Sequence, residues 1–136
     1  MVSLCIIFGS LFIGNAGVAA KEFERNQLPL ANVRLAIGPR EYLYIHAGDQ
    51  AEVLDRLIAC ESSWKTEVKS KTSSASGLGQ FINSTWVSTR RSMGRSEELG
   101  LRKDPYEMID TIIVLWDDGR GASHWSESRS CWKYAL

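Results

Sequence analysis

The chain has 136 residues, 44% of them hydrophobic, with 16 Lys and Arg balancing 16 Asp and Glu. The balance leaves no basic field to concentrate nucleic acid or an anionic membrane surface, so recognition must be local, made by shape and hydrogen bonds. The length allows one domain with a real core and excludes two.

The first twenty residues, MVSLCIIFGSLFIGNAGVAA, carry no charged side chain. They run apolar from Val2 to Ile13, then turn small and end Val18-Ala19-Ala20 before KEFER. This is the hydrophobic stretch and small-residue cleavage site of a secretory signal, without its basic leader. The apolar run is short for a membrane span of about twenty residues. Residues 1–20 are therefore expected to be a cleaved signal peptide. The mature chain would be exported to the periplasm or beyond, with no stable membrane anchor.

Cleavage takes Cys5 away and leaves Cys60 and Cys131. In an exported chain two leftover cysteines read as one disulfide. Closing a loop of roughly 70 residues, it would be worth about 4 kcal/mol in the chain-entropy account. Two cysteines without ligand-spaced histidines do not make a zinc site, and His46 and His124 lie far apart. Neither a metal nor a cofactor is expected.

Residues 21–48 show no sustained period and read as an arm of unknown role. Within it EYLYIHAG is either a short strand or a helical turn. At Asp49 the pattern sharpens. Asp49 and Glu52 are spaced as a capping box, and Val53, Leu54, Leu57 and Ile58 recur at helical spacing as one apolar stripe. Glu61 lies four residues after Leu57 and three after Ile58, so it falls on that stripe at the end of the helix.

The polar loop KTEVKSKTSSAS leads to GLGQFINSTWVSTRRSM, where Phe81, Ile82, Trp86 and Met93 suggest a second helix. Asp104-Pro105-Tyr106-Glu107 is another capping box, with proline at the favoured first position. The helix it opens presents Met108, Ile109, Ile112, Ile113 and Trp116, and stops at Gly119. GASHWSESRSCWKYAL reads as a turn followed by a short helix carrying Cys131. No strand pair or internal repeat is evident, and the fold class is mainly α.

Glu61 is the anomaly. Burial disfavours the charged form of a carboxyl group, which suits a general acid working near neutral pH. By position alone, a carboxylate paired with a buried arginine or capping nearby backbone fits as well.

The surrounding residues narrow the choice. Glu61-Ser62 ends a helix, and Ala75, Gly77, Leu78 and Gln80 follow after a loop, then Phe81 and Ser84-Thr85-Trp86. The chain closes on GASHWSESRSCW. Over roughly Gln50 to Trp132 this resembles the lysozyme-like soluble lytic transglycosylases, in particular their small secreted and phage-type members. Their pattern is a helix ending Glu-Ser, a variable loop, Ser-x-Thr-Gly-Ala-x-Gly-Leu-Met-Gln, an apolar or aromatic residue, and often Pro-x-Thr. A His-Trp and a Ser-x-x-Cys-Trp close the domain. The chain departs from the pattern at Ser74, where the family has glycine, at Gly79 (methionine) and at Asn83 (proline). It also lacks a clear Tyr-Asn pair in its last third.

The resemblance implies a lysozyme-like domain over residues 49–136 that cleaves the β-1,4 bond between N-acetylmuramic acid and N-acetylglucosamine. Glu61 would protonate the glycosidic oxygen and then deprotonate the sugar's own 6-hydroxyl, leaving a 1,6-anhydro-muramoyl end. Ser62 would support Glu61, and Gln80 and Phe81 would line the glycan groove. Many relatives orient the glutamate with the hydroxyl of that tyrosine; His124 or Trp125 would take its place here, and Cys60 would pair with Cys131. The glycine turn would bring backbone close to the sugar. The partner would be peptidoglycan glycan strands, at a secretion or conjugation apparatus, in wall remodelling or in phage lysis.

Ordinary glycosidases need two flanking carboxylates. The only second candidate near Glu61 in sequence is Glu67, in a lysine-rich loop that reads as solvated, so transglycosylation is favoured. A hydrolytic muramidase and a non-catalytic peptidoglycan-binding protein of the same fold are the alternatives.

Overall fold

The computed structural model describes Arg34 and residues 36–135. The expected signal segment and the arm up to residue 33 lie outside the described residues.

Helix α1, Pro39–His46, starts with proline at its first turn, where a missing N–H costs nothing. This settles EYLYIHAG as helix. Tyr42 and Leu43 are buried, and the helix packs on both long apolar helices that follow it. The expected arm is therefore part of the packed body from α1 onward. Ala47 ends the helix and Gly48, at φ +54, turns the chain in the left-handed region that glycine enters freely.

Helix α2, Ala51–Ser62, buries Val53, Leu54, Leu57 and Ile58 as the stripe predicts. Its expected capping box does not form. A 3-10 turn at Gly48–Gln50 runs straight into the helix, and the N-cap is Gln50, without a side-chain cap bond. The Gln50 amide instead donates to Asp117 Oδ1 at 2.6 Å.

The loop after α2 contains no strand. Isolated antiparallel bridges, Lys69 with Ser76 and Ser76 with Phe81, fold it back on itself. Helix α3, Asn83–Ser92, starts later than expected. Phe81 precedes it, and extended Ile82 is its N-cap. Trp86 is fully buried and anchors α3, and its indole N–H donates to the Glu98 carbonyl at 3.1 Å.

A 3-10 turn, Leu99–Lys103, leads to α4, Pro105–Leu115. Asp104 caps it, its Oδ1 accepting from the Tyr106 and Glu107 amides at 2.9 and 3.1 Å. The Glu107 side chain does not return the bond, because it is taken by Arg34 and Arg90 at 2.7 Å each. Met108, Ile109, Ile112 and Leu115 are buried, making α4 the centre of the core. Each such fully buried aliphatic side chain contributes about 1.5–3 kcal/mol relative to exposure.

Beyond α4 a π-turn, Trp116–Arg120, kinks the chain at Gly119 (φ +80), where the helix was expected to stop. Two short helices follow, α5 (Gly121–His124) and α6 (Arg129–Trp132). Cys131 on α6 is bridged to Cys60 on α2, with Cα atoms 6.2 Å apart. The described residues are thus mainly helical with one disulfide, and no helix among them is long and apolar enough to cross a membrane.

Candidate functional site

Three distant parts of the chain surround an open cavity of about 450 Å³. The end of α2 supplies Glu61, the turn before α3 supplies Gly79, Gln80 and Phe81, and the tail supplies His124, Trp125 and Glu127. Hydrogen bonds join these walls. The Trp125 indole N–H donates to the Gly79 carbonyl at 2.9 Å, joining tail to turn, and within the tail the Trp132 indole N–H donates to the Trp125 carbonyl at 3.1 Å. The Phe81 ring stands edge-on to both Trp86 and Trp125, with centroids 5.9 and 5.7 Å apart. Such pairs add about 0.5–1.5 kcal/mol beyond area burial and fix the rings' orientation.

Glu61 is half-buried at the cavity wall. The residue that touches its carboxylate is Ser128, whose hydroxyl donates to Oε1 at 2.5 Å. Ser62 does not support it. Its buried hydroxyl donates to the Ile58 carbonyl one turn back at 3.1 Å. Nor does His124 or Trp125 contact the carboxylate through a hydrogen bond. His124 is exposed on the rim against the edge of Trp125, and Trp125 is buried beneath it.

Gln80 lines the cavity, but its amide donors are committed to the loop backbone. Nε2 reaches the Gly77 carbonyl at 2.9 Å and the Val68 carbonyl at 3.2 Å. Its backbone sits at φ +50. Gln80 thus holds the turn in shape, and of its amide group only the carbonyl oxygen is left to offer the cavity. Phe81 lines the cavity while only 3% exposed, so it is chiefly core.

The glycines of the turn answer to packing. A Cβ on Gly77, at φ +78, would lie 2.2 Å from the Arg102 carbonyl oxygen, and one on Gly79 would lie 3.0 Å from the Ile112 side chain. Both approaches are to protein atoms, so packing excludes a side chain at Gly77 and crowds one at Gly79.

Glu127 is the carboxylate that sequence reasoning passed over in favour of Glu67. Both are exposed, but Glu67 pairs with Lys103 at 3.0 Å, whereas Glu127 lines the same cavity as Glu61. A signal existed. If Cys131 bonds to Cys60, residues a helical turn before Cys131 must come close to Glu61, and Glu127 and Ser128 are those residues.

A second cavity, about 350 Å³ and lined by Pro39, Arg40, Trp64, Thr66, Leu78 and Pro105, contains none of these groups. Among the described residues no three His, Cys, Asp or Glu side chains gather as a metal site would need. Comparison with protein-family models, with curated proteins and with solved structures gave no match.

Proposed function

We propose that the chain is an exported, lysozyme-like peptidoglycan lytic transglycosylase, with Glu61 as its acid and base. The observation that carries this is a half-buried carboxylate with one oxygen engaged by Ser128, set in an open cavity between the Gly79–Phe81 turn and the Trp125 tail. Apolar and aromatic walls with a few convergent polar groups are what a sugar site needs. The bridged cysteines fit an oxidising compartment.

Glu61 gives its proton to the glycosidic oxygen as the bond to the anomeric carbon breaks. The carboxylate then takes the proton of the muramoyl 6-hydroxyl, whose oxygen closes on that carbon. The proton returns to Glu61 and no water is consumed. A general acid of this kind contributes about 10²–10⁴-fold.

Glu127 favours a second reading, hydrolysis. A second carboxylate in the same cavity can deprotonate a water instead of leaving the 6-hydroxyl to attack, as glycosidases with two carboxylates do.

The test is mass spectrometry of soluble fragments after mixing the disulfide-intact protein with purified peptidoglycan. Fragments with 1,6-anhydro-muramoyl ends support transglycosylation, and reducing ends shift the reaction to hydrolysis. Glu61→Gln should abolish both products while retaining wall binding. Cleavage that survives this substitution removes Glu61 as the catalyst, and binding without any fragments from the native chain makes it a binding protein.

A further inference from the structure

We infer that Ser128 is a positioning residue that assigns the catalytic proton to one oxygen of Glu61. The inference rests on the reading of Glu61 as the acid. Ser128 Oγ has one hydrogen to give and two lone pairs. The Trp132 indole N–H is shared, one branch reaching Oγ at 3.2 Å and the other the Trp125 carbonyl. The hydroxyl hydrogen has two acceptors in range, Glu61 Oε1 at 2.5 Å and the Trp125 carbonyl at 3.2 Å. That carbonyl already accepts from Trp132 Nε1 at 3.1 Å. The nearer and less satisfied acceptor is Glu61, so the serine donates to Oε1.

An oxygen that receives a hydrogen bond is the poorer place for a proton. The acidic hydrogen of Glu61 is therefore carried on Oε2, the oxygen left for substrate, and the same oxygen takes the proton back in the second half of the reaction. Ser128 keeps one bond through both protonation states and never touches the sugar. Its backbone is fixed by the Cys131 amide, which donates to the Ser128 carbonyl at 2.8 Å, and by the bridge from Cys131 to Cys60, the residue before Glu61. The disulfide thus fastens the serine and the glutamate as a pair.

Removing the hydroxyl frees the Glu61 carboxyl to rotate and to carry its proton on either oxygen, without changing the groove that binds glycan. Ser128→Ala should lower kcat on purified glycan strands about 10- to 100-fold, the range for deleting a hydrogen bond to a charged group. KM should stay within about twofold. Ser128→Thr, which keeps the hydroxyl, should restore most of the rate. The proposal is overturned if Ser128→Ala turns over at the native kcat, if its loss is entirely in KM, or if the threonine variant is as slow as the alanine one while melting like the native protein. Glu61→Gln, assayed alongside, separates the two levels. If it cleaves glycan, the reading of Glu61 itself is wrong, whereas an inactive Glu61→Gln with a fully active Ser128→Ala condemns only the role given to the serine.

Discussion

Two residues after the glutamate, just past the end of α2, the backbone enters a conformation that its residues resist. Ser63 and Trp64 have φ of +52 and +62, in the left-handed region. Each such non-glycine residue costs about 1–2 kcal/mol, and for a bulky side chain the position is an outlier. Trp64 is held there by its indole N–H, which donates to the buried Asp55 carboxylate at 3.0 Å, and by its partly buried ring against the core. Ser63 is exposed, and its contribution is the backbone bond from its amide to the Ala59 carbonyl at 2.9 Å that closes α2. Glycine at this C-terminal position keeps that bond and removes the strain. Ser63→Gly should therefore stabilise the fold by about 1 kcal/mol, read as a higher denaturant midpoint at unchanged slope. Activity should be unaltered, because Ser63 stands outside the cavity. A lower midpoint would mean that the serine side chain supports the turn in a way its exposure does not suggest.

Between elements, the first turns of α4 gather the densest set of charges. Glu107 pairs with Arg34 and Arg90, and Asp110 with Arg34 and Arg95 at 2.9 Å each. Arg90 is 2% exposed and also lies over the Trp86 ring. Burial acts to raise the pKa of Glu107, but the hydrogen bonds from Arg34 and Arg90 outweigh it and hold the carboxyl below its ordinary 4.5. A depressed folded-state value stabilises the fold above the unfolded value and loses that contribution as pH falls through the folded one. The melting temperature should therefore drop as the pH is lowered from about 4.5. Glu107→Gln should flatten that drop. It should also cost about 3–5 kcal/mol at neutral pH, because buried Arg90 loses its counter-charge; an unchanged acid limb would show that other carboxylates set it. The sequence revealed α2 and α4 because their apolar residues repeat at helical spacing, and Glu61 because it breaks that repeat. It displaced the starts of α2 and α3, since a 3-10 turn and an extended Ile82 leave no periodic mark. Glu107 read as half of a capping box, when two arginines distant in sequence had claimed it. Ser128 and Glu127 leave no local mark either: only the expected disulfide, which carries them to Glu61, points to them.

At the scale of the molecule, the site exists only because its three walls are tied together from 46 to 71 residues apart in sequence. The disulfide closes the longest of these loops and joins α2 to α6, which also pack on one another. Two consequences can be separated. In the chain-entropy account a loop of this length is worth about 4 kcal/mol through the unfolded state, which for a body of about 100 residues corresponds to a melting temperature lower by roughly 15 °C or more once the bridge is gone. The second consequence is local. The bridge holds Cys60 beside Glu61 and Cys131 three residues after Ser128, so its loss loosens the 2.5 Å contact even in molecules that stay folded. On the proposed transglycosylase reading, a Cys60→Ser, Cys131→Ser double variant, assayed well below its own melting temperature, should therefore lose at least as much kcat as Ser128→Ala. Combining the two changes should add little, because both remove the same contact. If the bridge-free protein cleaves glycan at the native rate while still melting early, the disulfide serves stability alone and the Trp125–Gly79 tie is enough to hold the tail against Glu61. If the losses multiply, the bridge positions the glutamate by a route that does not pass through the serine, and α2 itself must shift when Cys131 lets go.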